Sequence, residues 1–215
     1  MTPLRILIVD DHAVVRRGVR SLLESQPGWE ISGEAATGRE AVDLAARLQP
    51  DIVVLDLSLP ELNGLDATRQ ILKESPRSEI LVLTMHHSEE LARSVLQAGA
   101  RGCVLKSDAD QSLIAAIESL RQHKPFLTST VTEFVLDDYM GRADALDDGL
   151  AKVTGREREI IQLLAEGKSN KEAAATLGIS VKTIEAHRAN IMRKLRLHSV
   201  SELVRYAIRN KIVQA

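Results

Sequence analysis

Asp10 and Asp11, Asp56, Thr84 and Lys106 each come directly after a short apolar run: Ile6-Leu7-Ile8-Val9, Ile52-Val53-Val54-Leu55, Ile80-Leu81-Val82-Leu83 and Cys103-Val104-Leu105. Runs this short, continuous and rich in Ile and Val read as fully buried strands of a parallel sheet. In open α/β sheets the functional groups gather beyond the carboxyl ends of the strands, at a topological switch point. Three carboxylates, one hydroxyl and one ammonium are therefore expected in one pocket. Carboxylates a few ångströms apart repel by roughly 4 kcal/mol per pair in the partly screened environment of a protein surface. A divalent cation removes that cost, and oxygen-only ligation suits Mg²⁺, which keeps several waters and bridges to phosphate. One carboxylate can then attack phosphorus as a nucleophile, while the cation, the Lys106 ammonium and the Thr84 hydroxyl stabilise the transferred charge. The pocket reads as a magnesium and phosphoryl site.

The elements that must position these groups follow from the patterning. Strands near 4–9, 29–35, 51–56, 79–84 and 102–106 alternate with helices near 13–26, 38–49, 64–75, 88–98 and 108–122, as five βα units. Ala41, Leu44, Ala45 and Leu48 recur at the helical period, as do Leu113, Ala116, Ile117 and Leu120. Gly33, Gly38, Gly64, Gly99 and Gly102 are read as turn markers, with Pro27, Pro50, Pro60 and Pro76. Residues 1–123 form this first domain and residues 124–149 an acidic linker, with a short helix expected at 131–140.

From Thr154 the chain reads as helical to its end. Thr154-Gly-Arg-Glu157 and Ser169-Asn-Lys-Glu172 are capping boxes, the signature of a helix start. One helix runs to about Glu166; a second, Asn170–Leu177, ends at Gly178. Ser180 caps a third, Val181–Leu195, and a fourth spans about Ser201–Asn210. Two helices joined by a short glycine-containing turn make a helix-turn-helix, whose second helix enters the major groove of DNA. Residues 150–215 are thus an all-α four-helix domain. Ile184, Ile191 and Leu195 share the inward face of the third helix, while Lys182, Glu185, Ala189 and Arg193 lie on the other.

Charge separates the two ends. Residues 1–120 carry 12 Lys/Arg against 18 Asp/Glu, net −6; residues 121–149 are net −3, and residues 150–215 carry 13 against 6, net +7. Only the last part is expected to meet a polyanion. With aromatics at 2%, the cores must be built from Leu, Ile, Val and Ala. No apolar run approaches the ~18 residues of a membrane span and no signal peptide opens the chain. The single cysteine, Cys103, excludes an intramolecular disulfide. These features point to a cytoplasmic protein with no membrane partner.

Asp10-Asp11, Asp56-Leu-Ser-Leu-Pro60 continuing to Gly64, Thr84 and Lys106 resemble the receiver domain of two-component response regulators over residues 4–122. Thr154-Gly-Arg-Glu-Arg-Glu159, Gly167-Lys-Ser-Asn-Lys-Glu172, Ile179-Ser180, Thr183-Ile-Glu-Ala-His187 and Lys194-Leu195 resemble the LuxR-type DNA-binding domain over about 152–212. Together the chain is similar to NarL/FixJ-type response regulators.

The resemblance implies a flavodoxin-like sheet of five strands in the order 2-1-3-4-5 with helices on both faces. It implies that Asp56 accepts phosphate from a sensor histidine kinase and that Asp11 and Asp56 bind Mg²⁺ directly. Asp10 acts through water, the Ser58 carbonyl completes the set, and Thr84 and Lys106 grip the phosphoryl oxygens. It further implies an off state in which the receiver covers the recognition helix. Phosphorylation then releases the domains, and the fourth helix forms the DNA-bound homodimer on a two-fold-related promoter site.

By family position Glu185, Ala186 and Ala189 face base edges, where Glu accepts from cytosine N4 and Ala touches a thymine methyl. Lys168, Asn170, Lys171, Lys182, Thr183, Arg188 and Lys194 are the phosphate-contact candidates. Three positions depart from the family pattern. Cys103 replaces a switch aromatic, Ser107 replaces a proline after the lysine, and Glu185 replaces a common lysine. A cis Lys106–Ser107 bond would cost about 3–4 kcal/mol. His86-His87 read as surface residues, and His12 as a contact or cap.

Two other readings compete. A haloacid-dehalogenase-like phosphohydrolase needs a general-acid Asp two residues after its nucleophile, and Ser58 stands there. The chain is therefore expected to accept phosphate without turnover. A phosphate-independent DNA-binding protein would not need the intact five-residue set.

Overall fold

A computed structural model of the chain describes residues 2–85, 89–127 and 153–213. The expected helix at 131–140, the His86-His87 pair and most of the 124–149 linker lie outside the described residues. The chain divides into two compact units, an α/β unit followed by a helical one.

The first unit alternates strand and helix: β1 (Leu4–Val9), α1 (Ala13–Glu24), β2 (Trp29–Ala35), α2 (Gly38–Leu48), β3 (Ile52–Asp56), α3 (Gly64–Glu74), β4 (Glu79–Thr84), α4 (Glu89–Gln97), β5 (Gly102–Leu105) and α5 (Ala109–Arg121). The sheet order is β2-β1-β3-β4-β5, extended by a two-residue β6 (Phe126–Leu127) that pairs parallel to β5. Patterning alone predicts five strands and a linker that opens at Pro125. Phe126 instead donates its N–H to the Arg101 carbonyl, so the edge of β5 gains a sixth strand. Every pairing is parallel, so all five main strand ends open on the same side.

Alternation splits the buried residues between two faces. Ile6, Ile8, Ile52, Val54, Leu81, Leu83 and Val104 cluster with Val19 and Leu23 of α1 and with Leu113, Ala116, Ile117 and Leu120 of α5. The intervening Leu7, Val9, Val53, Leu55, Ile80, Val82 and Cys103 are equally buried on the opposite face. Each fully buried aliphatic side chain contributes roughly 1.5–3 kcal/mol by leaving water. This two-sided burial is why the strands read as continuous apolar runs.

Gly33 and Gly102, taken from sequence as turn markers, lie inside strands. At Gly33 the β1–β2 register shifts, and a Cβ there would sit 2.9 Å from the Leu48 Cδ1 atom. A side chain there would have to displace the tips of Leu48 and Leu7, and no turn is involved. Gly38 and Gly64 open helices, and Gly99, at φ +102, is the one of the five that occupies a true turn conformation. None of the peptide bonds among the described residues is cis, Lys106–Ser107 included.

The second unit holds α6 (Gly155–Ala165), α7 (Asn170–Leu177), α8 (Val181–Leu195) and α9 (Val200–Arg209). Both expected capping boxes are formed, Thr154 with Glu157 and Ser169 with Glu172. Gly178 ends α7 in the left-handed conformation, and Ser180 accepts from the Thr183 N–H to start α8. The fourth helix begins one residue earlier than its sequence suggested, because Ser199 rather than Ser201 accepts from the Glu202 N–H. Ile160, Ile161, Leu163, Ala173, Ile184, Ile191, Leu203 and Ala207 pack into one core, as the paired faces of α6–α9 require.

Candidate functional site

The site of the first unit is built at the strand ends. Asp56 closes β3 and is 3% exposed; Asp10, just past β1, is equally buried. Register pairs Asp56 with Leu83 and Thr84 with Leu105, so Thr84 ends one step along the adjacent strand and Lys106 leaves the sheet beside it. Lys106 begins a single 3₁₀ turn, Lys106–Asp108, ahead of α5. Its ammonium lies 2.7 Å from Asp10 Oδ2 and 2.9 Å from Asp56 Oδ2, bridging the two carboxylates. The remaining oxygens are also engaged: Leu57 N–H donates to Asp56 Oδ1 and His12 N–H to Asp10 Oδ1, both at 2.8 Å. Asp11 is more exposed, and its Oδ1 lies 2.7 Å from His12 Nδ1. His12 is thus the contact expected of it.

Burial pushes the Asp56 carboxyl above its ordinary value, and the Lys106 hydrogen bond and charge counter only part of this. Burial also opposes the charge on Lys106, but Asp10 and Asp56 outweigh it and raise the ammonium above its ordinary value. The pocket therefore carries a firmly protonated lysine between two buried acids. Asp10, Asp11, His12 and Asp56 each offer one ligand atom, all within 4.8 Å of one another. Three convergent carboxylates with only one ammonium between them suit a hard divalent cation such as Mg²⁺. Ser58 follows in the half-buried loop after β3.

Two features of this site were not read from sequence. Gly64 N–H donates to the Leu57 carbonyl at 2.9 Å, folding α3 back onto the Asp56 peptide. A Cβ on Gly64 would collide with the Asp56 carbonyl oxygen and come within 2.6 Å of Leu57 Cα, so the position admits only glycine. Its place in the motif was legible; the collision was not. The second is Arg16, four residues into α1, whose Nη1 donates to the Asp10 carbonyl at 2.6 Å. Its only sequence signal is a position on the helix face turned toward the end of β1. Cys103, in place of the family's aromatic, is buried, and burial pushes its thiol up to about 11, leaving it inert.

The candidate nucleic-acid surface lies in the second unit. On α8, Lys182, Thr183, Glu185, Ala186, Ala189 and Lys194 are exposed while Ile184 and Ile191 are fully buried, the two-faced helix that the spacing demanded. Arg188 is half-buried and donates to Asn170 Oδ1 at 3.3 Å, tying α8 to α7. Lys171 is exposed and Lys168 half-exposed. Lys194, though exposed, also pairs within the domain, 2.7 Å from Glu157 Oε2. Burial would raise the Glu157 carboxyl, but Lys194 and the Thr154 hydrogen bonds hold it below its ordinary value. No helix among the described residues is long and apolar enough to cross a membrane.

Residues 6–118 match the response regulator receiver domain and residues 151–207 the bacterial regulatory proteins of the luxR family. The oxygen regulatory protein NreC of Staphylococcus epidermidis is 40% identical over 217 residues, covering 98% of this chain and all of that one. NreC of Staphylococcus carnosus is 39% identical over 215 residues, covering 98% and 99%. The RcsB response regulator of Salmonella typhimurium superposes with a TM-score of 0.60 at 28% identity, covering 96% and 98%. An RcsB–DNA complex superposes with a TM-score of 0.58 at 27% identity, covering 95% and 98%. A receiver and a luxR-type domain in this order, matched along almost the whole chain, decide its family: it belongs to the NarL/FixJ-type DNA-binding response regulators, transcription factors of two-component systems and not turnover enzymes.

Proposed function

We propose that the chain is switched by phosphorylation of Asp56 by a sensor histidine kinase. The observation that carries this reading is the Lys106 ammonium bridging Asp10 and Asp56 at 2.7 and 2.9 Å, beside Asp11. The Asp56 carboxylate attacks phosphorus; the P–N bond to the kinase imidazole breaks and its electron pair leaves with the imidazole. The bond formed is an acyl phosphate on Asp56. Lys106 then turns from its neighbours to the phosphoryl oxygens, and the Thr84 hydroxyl donates to another. Asp11, Asp56, the Ser58 carbonyl and, through water, Asp10 would hold Mg²⁺, which supplies charge neutralisation for the carboxylates and the incoming group.

Residues 1–123 form the receiver, 124–149 the linker and 150–215 the DNA-binding domain. Phosphate adds roughly two negative charges and three acceptors at Asp56. Switching from mostly off to mostly on requires about 5.5 kcal/mol of differential stabilisation. The phosphorylated chain dimerises through α9 in the cytoplasm and docks α8 in the major groove of a promoter. Glu185, Ala186 and Ala189 read bases; Lys168, Asn170, Lys171, Lys182, Thr183, Arg188 and Lys194 meet phosphates. Exposed Val200 and Ile208 on α9, and the dimers recorded for RcsB on DNA, support the dimer.

Footprinting with acetyl phosphate and Mg²⁺ tests the switch. Treatment is expected to strengthen promoter binding by the wild type and to leave Asp56→Ala unchanged. Equal affinity for both proteins, treated or untreated, refutes it.

A further inference from the structure

The β1–α1 turn that carries Asp10 and Asp11 has a backbone problem. The β1–β2 ladder ends at the Val9–Ala35 pair, and the Asp10 N–H makes a last bond to the Ala35 carbonyl. The Asp10 carbonyl points beyond the ladder, and a carbonyl left there needs a donor from elsewhere. Arg16 supplies it: Nη1 donates to that oxygen at 2.6 Å, while Nε donates to Glu34 Oε2 at 3.3 Å. Glu34, on β2, uses its other oxygen to accept from Arg20 Nε at 2.5 Å. That bond is the leading reason the Arg20 guanidinium is raised above its ordinary value. Arg20 in turn pairs with Glu24 at 2.7 Å. A guanidinium forked between a carboxylate and a carbonyl is held in orientation by its own planarity.

The carbonyl in question belongs to the peptide joining Asp10 to Asp11, so holding it fixes the backbone from which both side chains leave. Glu34 also neutralises Arg16, so the guanidinium acts beside the acidic turn by orientation without competing as a cation. We infer that Arg16, locked by Glu34, is a positioning residue that presets the Asp10–Asp11 turn for its divalent cation and so sets the metal affinity of the pocket. The inference rests on the acidic turn being the cation site proposed above. Partners of this kind behind a ligand are typically worth about 10–100-fold in metal affinity.

The test is titration of MgCl₂ into the full chain, followed by the amide resonances of residues 10–12. Arg16→Met is expected to bind Mg²⁺ about tenfold more weakly than wild type, with Glu34→Gln intermediate. Arg16→Lys, which keeps the charge but loses the fork, should resemble Arg16→Met. In acetyl phosphate labelling of Asp56 the Mg²⁺ concentration for half-maximal rate should rise by the same factor. The maximal rate at saturating Mg²⁺ should stay at the wild-type level, a split that general loosening of the domain would not produce. Should Arg16→Met fail to fold, Arg16→Lys and Glu34→Gln decide the matter. Unchanged Mg²⁺ affinity in the folded variants overturns the inference and leaves the proposed function intact. Absence of Mg²⁺ binding in wild type, or its retention in Asp11→Asn, overturns both.

Discussion

At the scale of single residues, Asp56 is the costly one. Its carboxyl sits buried at a strand end with its ordinary value raised, chiefly by loss of water, and Lys106 recovers only part of the cost. A carboxyl that binds its proton more tightly folded than unfolded adds stability below its ordinary value of 3.8, and that contribution is lost as pH rises through the folded value. At neutral pH the ionised group therefore burdens the fold. Asp56→Asn removes the charge and keeps the shape, so in Mg²⁺-free buffer it is expected to unfold at a higher temperature than wild type. The gap should narrow as the pH falls into the acid range where the wild-type carboxyl takes up its proton. Calorimetry across pH checks this; a variant less stable than wild type at neutral pH would contradict it. On the function proposed above, the same buried charge favours an incoming cation, since a desolvated carboxylate gains most from one.

At the scale of elements, the β3–α3 connection determines where Asp56 points. Gly64 opens α3 against the Asp56 carbonyl and the Leu57 Cα, a closeness no other residue can match. Gly64→Ala must push the helix start away from the strand end. The expected cost is about 1–3 kcal/mol, in the range of an overpacked core position. Because the displaced peptide is that of Asp56, the proposed phosphoacceptor, acetyl phosphate labelling should slow even where the variant remains folded. Denaturant unfolding and labelling of one preparation measure both effects. In the helical unit the corresponding devices are caps. The Ser169 and Thr154 boxes start α7 and α6, and Gly178 stops α7 where α8 must turn away.

At the scale of the whole molecule, charge divides along functional lines, with residues 1–120 net −6 around an acidic pocket and residues 150–215 net +7. Non-specific repulsion by DNA thus falls on the receiver domain, and attraction on the luxR-type domain that carries α8. Lys171→Ala should reduce the slope of log affinity against log salt by about 0.9, the signature of one lost phosphate contact. Glu185→Ala should leave that slope alone and relax the preference at one base pair by about 1–3 kcal/mol. Salt-dependent binding to the selected promoter and to its single-base variants separates the two. A Lys171 variant with an unaltered slope removes that residue from the interface.

Much of this was legible in sequence because burial on both faces of a parallel sheet leaves uninterrupted apolar runs, and function sits where they stop. Asp10, Asp11, Asp56, Thr84 and Lys106 were picked out that way, and helices α6–α8 through their caps and period. What the linear pattern could not carry was distance between elements. That Lys106 bridges Asp10 and Asp56, that the Asp56 carbonyl leaves no room for a side chain at Gly64, that Lys194 answers Glu157 and that Arg16, braced by Glu34, reaches the Asp10 carbonyl are facts of groups meeting across the fold. β6 is the same case, since two residues become a strand only when an edge is there to receive them. Local chemistry writes periodicity, caps and strand ends into the chain; which charge finds which partner is settled only when packing brings remote elements to a few ångströms.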